Sequence, residues 1–232
     1  MKTATHPYAG YRFPSEIISH AVWLYHRFTL SFRDVEDLLA ERSITVTYET
    51  IRQWCLTFGP GFARGLRHRR GRPGDTWYLD EMFVKIGDKL HYLWRAVDQD
   101  GEVLDILVQE HRNCRAAKRF FRKLLKDLHY APRVLVTDKL GSYRVAQKAL
   151  LPDTRHCTER WGNNRAEVSH QPTRQRERQM RRFKSSGQAQ RFLSVHSSIN
   201  NLFRVGRHLL GAAHHRAFRA RAFYDWNEVT CA

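Results

Sequence analysis

Apolar residues recur at helical spacing through the first quarter of the chain, between residues 15 and 58. Ile18, Val22 and Tyr25 stripe one helix, which Ser15 is placed to cap. Val35, Leu38 and Leu39 stripe a second, opened by Ser31 with Asp34 three residues on, the spacing of a capping box. Ile51, Trp54, Cys55 and Phe58 share a face of a third, which Thr47 can cap; its other face shows Tyr48, Glu49, Arg52 and Gln53. Two helices joined by a tight turn, the second exposing Arg52 and Gln53, predict a helix-turn-helix over residues 1–60 with those two side chains reading bases. A plain three-helix bundle is the competing reading. The stretch GPGFARGLRHRRGRPG follows with five arginines, no acid and helix-ending Gly and Pro. It predicts a basic linker over 61–74.

The pattern then changes period. TWYLDEMFVKI, KLHYLWRAVD and VLDILVQ are β-rich runs split by Gly-Asp and Asp-Gly turns. Asn113 can cap a helix striped by Ala117, Phe120, Phe121, Leu124 and Leu128, and RVLVTD has the apolar run of a strand covered on both faces. A helix near 143–150, a strand around 155–158 and a helix from the basic tract beyond it complete the order β-β-β-α-β-α-β-α. This α/β unit is expected over 75–186. Helical spacing resumes from 188 through Phe192, Ile199, Leu202 and Phe203, and a basic helical segment near 214–226 ends a helical region over 187–232.

Charge narrows the partner. The 232 residues carry 40 Lys and Arg against 23 Asp and Glu, a formal +17. Such an excess points to a polyanion, because each neutralised phosphate releases condensed counterions. No apolar run reaches the roughly 18–20 residues of a membrane helix, no signal peptide is evident, and four scattered cysteines lack zinc-site spacing. The expectation is a cytoplasmic protein with reduced thiols that binds a nucleic acid, with no membrane association. The stretch RWGNNRAEVSHQPTRQRERQMRRFKSS, residues 160–186, holds eight Lys and Arg and two acids, Glu167 and Glu177.

Three carboxylates stand out. Asp80 shares a strand face with Tyr78, Met82, Val84 and Ile86, where an unpaired charge is costly; Glu81 points the other way. Asp138 ends the apolar strand, at the edge where open α/β sheets place their sites. Glu167 lies near the start of the last core helix. Two aspartates on strand ends and a glutamate on a helix can surround two Mg²⁺ ions, which take oxygen ligands and activate phosphodiester chemistry. Each has a plainer alternative: Asp138 as a turn residue or cap, Glu167 as the partner of Asn164 in a capping box.

WYLDEMFVKI, VTDKLGSY and NNRAEVSHQPTRQRERQMRRFKS resemble the DDE transposases of bacterial insertion sequences, in the insertion-sequence-six family, and the likeness spans the chain. The resemblance implies an RNase H-like (retroviral-integrase-type) core whose catalytic, metal-binding triad falls on Asp80, Asp138 and Glu167. It implies Mg²⁺ (or Mn²⁺), two ions per site, cutting at terminal inverted repeats, and attack of the exposed 3′-OH ends on target DNA to give replicative cointegrates. A homodimer or larger assembly would hold the two ends. Only 28 residues separate Asp138 from Glu167, which suggests a shortened connection around 151–160. Absence of H-x-x-R and H-x-H argues against tyrosine recombinases and His-hydrophobe-His transposases. Lys139 and Tyr143 follow the second aspartate as candidate DNA contacts. His170 falls one turn beyond Glu167, and Arg174, Arg176, Arg178, Arg181 and Arg182 are expected to grip the backbone. Pro172 should kink or shorten its helix. A metal-dependent nuclease or resolvase on the same fold, and a non-catalytic helix-turn-helix regulator, remain the alternatives.

Overall fold

The computed structural model describes residues 7–159, 163–204 and 211–231. The chain divides into two compact units, Met1–Arg70 with Ser198–Ala232, and Gly71–Ser197.

The first unit opens with α1 (Ser15–Arg27), α2 (Phe32–Ala40) and α3 (Tyr48–Thr57). Ile18, Val22, Val35, Leu39, Ile51 and Trp54 close its core, as the helical spacing predicts, whereas Leu38 faces solvent. The Ser31–Asp34 capping box forms in full, and Thr47 accepts from the Thr50 amide. Ser15 does not cap α1. Pro14 occupies the cap position and the Ser15 hydroxyl turns to Glu16.

The predicted linker is a helix instead, α4 (Gly59–Arg69). Pro60 lies in the first turn, where its missing N–H costs nothing, and Phe62, Ala63 and Leu66 supply an apolar stripe.

The second unit is built on a five-stranded sheet. β1 (Thr76–Ile86), β2 (Lys89–Asp98) and β3 (Val103–Gln109) form an antiparallel meander. The first hairpin turns at Gly87, whose φ of 56° suits a residue without Cβ. Helix α5 (Cys114–Leu128), capped by Asn113 as expected, leads to β4 (Val134–Thr137), and α6 (Gly141–Leu150) leads to β5 (Arg155–Cys157). β4 pairs parallel to β1 and β5 parallel to β4, giving the order β3-β2-β1-β4-β5. This is an RNase H-like core. Trp77, Leu79, Trp94, Phe120, Phe121 and Tyr143 pack between one sheet face and α5 and α6. On the chain past residue 163 lie α7 (Asn164–Ser169), α8 (Gln171–Gln179) and α9 (Ser186–Leu202). The break between α7 and α8 falls at His170, ahead of Pro172 as expected. Residues 160–162, where the basic tract begins and the shortened connection ends, lie outside the described residues.

The core does not end at 186, for α9 continues it to Ser197. Nor is 187–232 a separate segment. Its last helix, α10 (Ala212–Thr230), belongs with the N-terminal helices. Trp226 meets Phe62 edge-on at 5.4 Å, Phe223 meets Trp23 at 5.3 Å, and Arg69 pairs with Glu228 at 3.6 Å. A Cβ on Gly65 would stand 2.6 Å from Val229 Cγ1, so the absence of a side chain there lets α4 and α10 approach.

Candidate active site

The sheet register brings the first two acids together. β1 and β4 run parallel with Leu79 opposite Thr137, so the next residues, Asp80 and Asp138, emerge side by side. β4 pairs with β1 only as far as Leu79. Beyond that point successive β1 side chains can reach round the freed edge. Asp80, Glu81 and Asp138 accordingly place carboxylate oxygens within 4.8 Å of one another. The alternation rule gave Glu81 no buried role, yet its side chain is only 3% exposed, against 21% for Asp80. It takes the core-facing parity of Trp77 and Leu79, a signal already present in the sequence.

Glu81 is held by two donors. The Tyr143 hydroxyl donates to it at 2.6 Å, and the Arg112 guanidinium pairs with it while reaching Asp138 Oδ2 at 3.3 Å. Burial pushes its pKa up to about 6; the Tyr143 hydroxyl pulls it back, the Asp138 charge adds to the rise, and Arg112 opposes it. Asp138 serves the turn as well, because its Oδ1 accepts from the Leu140 amide at 3.0 Å. The turn-residue reading and the site reading use different oxygens of one carboxylate.

Glu167 projects from α7 and lines the same cleft, about 710 Å³ in volume, outside the three-acid group. The capping-box alternative fails: Asn163 holds the cap position and no side-chain cap bond forms. Asn163 Nδ2 instead donates to the Leu79 carbonyl at 2.8 Å, tying the start of α7 to β1 beside Asp80. At the α7–α8 corner the buried Arg95, opposite Asp80 in the β1–β2 register, donates to the Ser169 carbonyl and the Thr173 hydroxyl. Burial pushes its pKa down to about 10. His170, also buried, sets Nε2 3.2 Å from Asp80 Oδ2. Burial lowers its pKa, the Asp80 carboxylate opposes this, and Arg95 reinforces it, so the ring stands largely neutral near pH 7.

The expected DNA contacts divide. Lys139, His170 and Arg174 line the cleft. Arg178, Arg181 and Arg182 line a second hollow of about 560 Å³ with Lys85 and Glu177. Two expectations are corrected. Tyr143 is fully buried in the core between Trp94 and Phe121, where its hydroxyl serves Glu81 rather than DNA. Arg176 is 1% exposed, its guanidinium over the Phe192 ring at 5.2 Å, so it packs α8 rather than facing solvent. Nor do Arg178 and Arg182 share a helix face. α8 stops at Gln179, and Arg181 and Arg182 take left-handed φ values of 50° and 80°. On α3, Arg52 and Gln53 are exposed as expected, but both donate to Glu49. Arg52 held the sequence's attention; Arg112, on a loop before α5, carried no pattern that could have singled it out.

The donor set fits a divalent cation. Three mutually repelling carboxylates offer only hard oxygen ligands, and a cationic side chain already bridges two of them. An RNase H-like sheet with acids at the paired ends of its central parallel strands defines a polynucleotidyl transferase core. Residues 74–206 match the DDE domain family. The chain is 30% identical over 205 residues, 86% of its length and 89% of the relative's, to the transposase for insertion sequence-like element IS431mec of Staphylococcus aureus. It is 29% identical over the same span to the transposase for insertion sequence element IS257 in transposon Tn4003 of that organism. The HTLV-2 integrase catalytic core domain in complex with magnesium is similar over 62% of this chain and 94% of that one, at 12% identity and a TM-score of 0.44. The chain belongs to the insertion-sequence-six family of DDE transposases. Among the described residues, no helix is long and apolar enough to cross a membrane.

Proposed function

We propose that this transposase cuts DNA at terminal inverted repeats and joins the exposed 3′-OH ends to target DNA, with Asp80, Asp138 and Glu167 as its catalytic, metal-holding acids. The observation that carries the reading is the parallel β1–β4 register, which sets Asp80 and Asp138 side by side on the cleft that Glu167 lines. Asp80, Asp138 and Glu167 would hold two Mg²⁺ (or Mn²⁺) ions, which would supply Lewis acidity toward the attacking and leaving oxygens. The protein's share is placement. Asn163 and Arg95 fix α7 and its corner against the sheet, so Glu167 stands on the wall of the cleft from a tied-down element. Arg174 and Lys139 offer cations to the phosphates in the cleft, and neutral His170 holds Asp80 from behind. In the joining step the 3′-OH gives its proton to water as its oxygen bonds a target phosphorus, the bond from that phosphorus to the target's own 3′ oxygen breaks, and the freed oxygen takes a proton from water. Where only the 3′-ended strands are cut and joined, the other strands stay attached to the donor, and replication across the joint gives cointegrates.

α2 and α3 supply the helix-turn-helix, and Arg52 and Gln53 read bases once drawn from Glu49 to the DNA. Two ends must be held at once, which calls for a homodimer or larger assembly working at the nucleoid in the cytoplasm. The test incubates labelled repeat ends, supercoiled target and Mg²⁺ with wild type, Asp80→Asn, Asp138→Asn and Glu167→Gln. Each variant should bind the ends and yield no joined product. Joining by Glu167→Gln at wild-type level would remove Glu167 from the triad, and wild-type nicking without joined product would mark a nuclease.

A further inference from the structure

Arg112 sits at the acids without belonging to any motif. It leaves the backbone next to Asn113, which is pinned as the α5 cap by a 3.0 Å bond from the Ala116 amide. From there its Nε pairs with Glu81 and its Nη2 with Asp138, across the group whose oxygens lie within 4.8 Å. Carboxylates so close cannot all ionise without a cation among them. Arg112 supplies one.

Arg95 and Arg112, both near these acids, differ in freedom. Arg95 is 2% exposed and locked to a carbonyl and a hydroxyl. The Arg112 side chain is 35% exposed, its reach to Asp138 is a long 3.3 Å, and its flexible stem leads to solvent. The Arg112–Asp138 contact, exposed on both sides, is held weakly and exchanges readily, whereas the buried Glu81 carboxylate anchors the guanidinium. We propose that Arg112 is the resident counter-ion of the acid cluster, keeping Glu81 and Asp138 together until a divalent metal enters and takes its place. Metal entry then releases a guanidinium at the rim of a cleft built for phosphate. The inference rests on the acid cluster being the metal site.

The test uses the full chain stripped by chelator and titrated with Mn²⁺, free ion being read by electron paramagnetic resonance. Metal entry has to break the Arg112 pairing with Glu81 and Asp138, and a variant without that pairing is spared the loss, enough for roughly tenfold in affinity for one charge-assisted contact. Arg112→Gln should therefore bind Mn²⁺ about tenfold tighter than wild type, Arg112→Lys should stay near wild type, and Mn²⁺ should raise the Tm of Arg112→Gln by more. A second measurement needs no variant: phenylglyoxal should label Arg112 faster with Mn²⁺ than with chelator, read by peptide mapping. Wild-type binding with no gain in Arg112→Gln, or labelling no faster with metal, overturns the counter-ion role alone. Failure of both wild type and Arg112→Gln to bind Mn²⁺ overturns the metal site and this inference with it.

Discussion

Replacing Tyr143 by phenylalanine removes one oxygen and keeps the ring that packs 5.4 Å from Trp94 and 6.3 Å from Phe121. What is lost is the 2.6 Å bond to Glu81. Burial first, and then the Glu81 charge, hold the Tyr143 phenol well above its usual pKa, so the hydroxyl stays protonated and donates. The pKa of Glu81 rises on folding from 4.5 to about 6. An acid raised on folding favours the native state fully below its unfolded pKa, and that favour is lost as pH climbs through the folded pKa. Ionised Glu81 thus already costs roughly 2 kcal/mol above that window, at about 1.4 kcal/mol per unit. Losing a donor to the charged form adds about 1.5–3 kcal/mol near pH 7.5, whereas near pH 5 the lost bond is a neutral one worth about 0.5–1.5 kcal/mol. Urea unfolding of metal-free wild type and Tyr143→Phe, followed by tryptophan fluorescence at both pH values, reads the difference. A destabilisation of equal size at the two pH values, or none at either, would show that the hydroxyl does not serve an ionised Glu81.

Further outcomes follow from the arginines. Arg178→Ala/Arg182→Ala should weaken binding to every duplex alike and reduce the slope of log K against log salt by about 1.8, or 0.9 per lost phosphate contact; an unchanged slope places that hollow away from DNA. Arg176→Ala should leave the slope alone and instead cost about 1–3 kcal/mol of stability through lost packing on Phe192, and a changed slope at unchanged Tm would return Arg176 to the DNA. Arg52→Ala should cost about 1–3 kcal/mol of discrimination between repeat and random duplexes. Glu49→Gln should tighten binding to both, since Arg52 keeps Glu49 ionised far below the usual carboxylate range and so ties itself up. Equal discrimination by wild type and Arg52→Ala would remove α3 as the reading helix.

The sheet was legible because period-two alternation and the turn glycines bound β1 to β3, and the caps at Ser31, Thr47 and Asn113 were legible because short polar side chains ahead of apolar stripes have few other uses. Asp80 and Asp138 could be picked out as a misplaced charge and a strand end. Glu81 escaped notice only through the assumption that the strand's other face is wet. Tyr143 keeps helical spacing with Ala146, the ordinary mark of a core position. For Arg176 nothing distinguishes it from its neighbours in the basic tract; its burial depends on where α9 passes. α4 was hidden because Gly and Pro break helices in general, while here Pro60 starts one and Gly65 admits a neighbouring helix, at Val229, from far along the chain. That neighbour, α10, buries few apolar residues, so its pattern does not announce a partner.

The packing of α10 on α1 and α4 has a consequence for synthesis. A ribosome delivers α1 to α4 first, then the whole RNase H-like unit, and only afterwards residues 212–230. Until those emerge, Phe62, Trp23 and the bare flank of Gly65 wait without the rings and the valine that cover them. A nascent or prematurely stopped chain therefore carries a finished RNase H-like unit behind an unfinished N-terminal helical unit, and the order of translation itself sets which of the two is completed last.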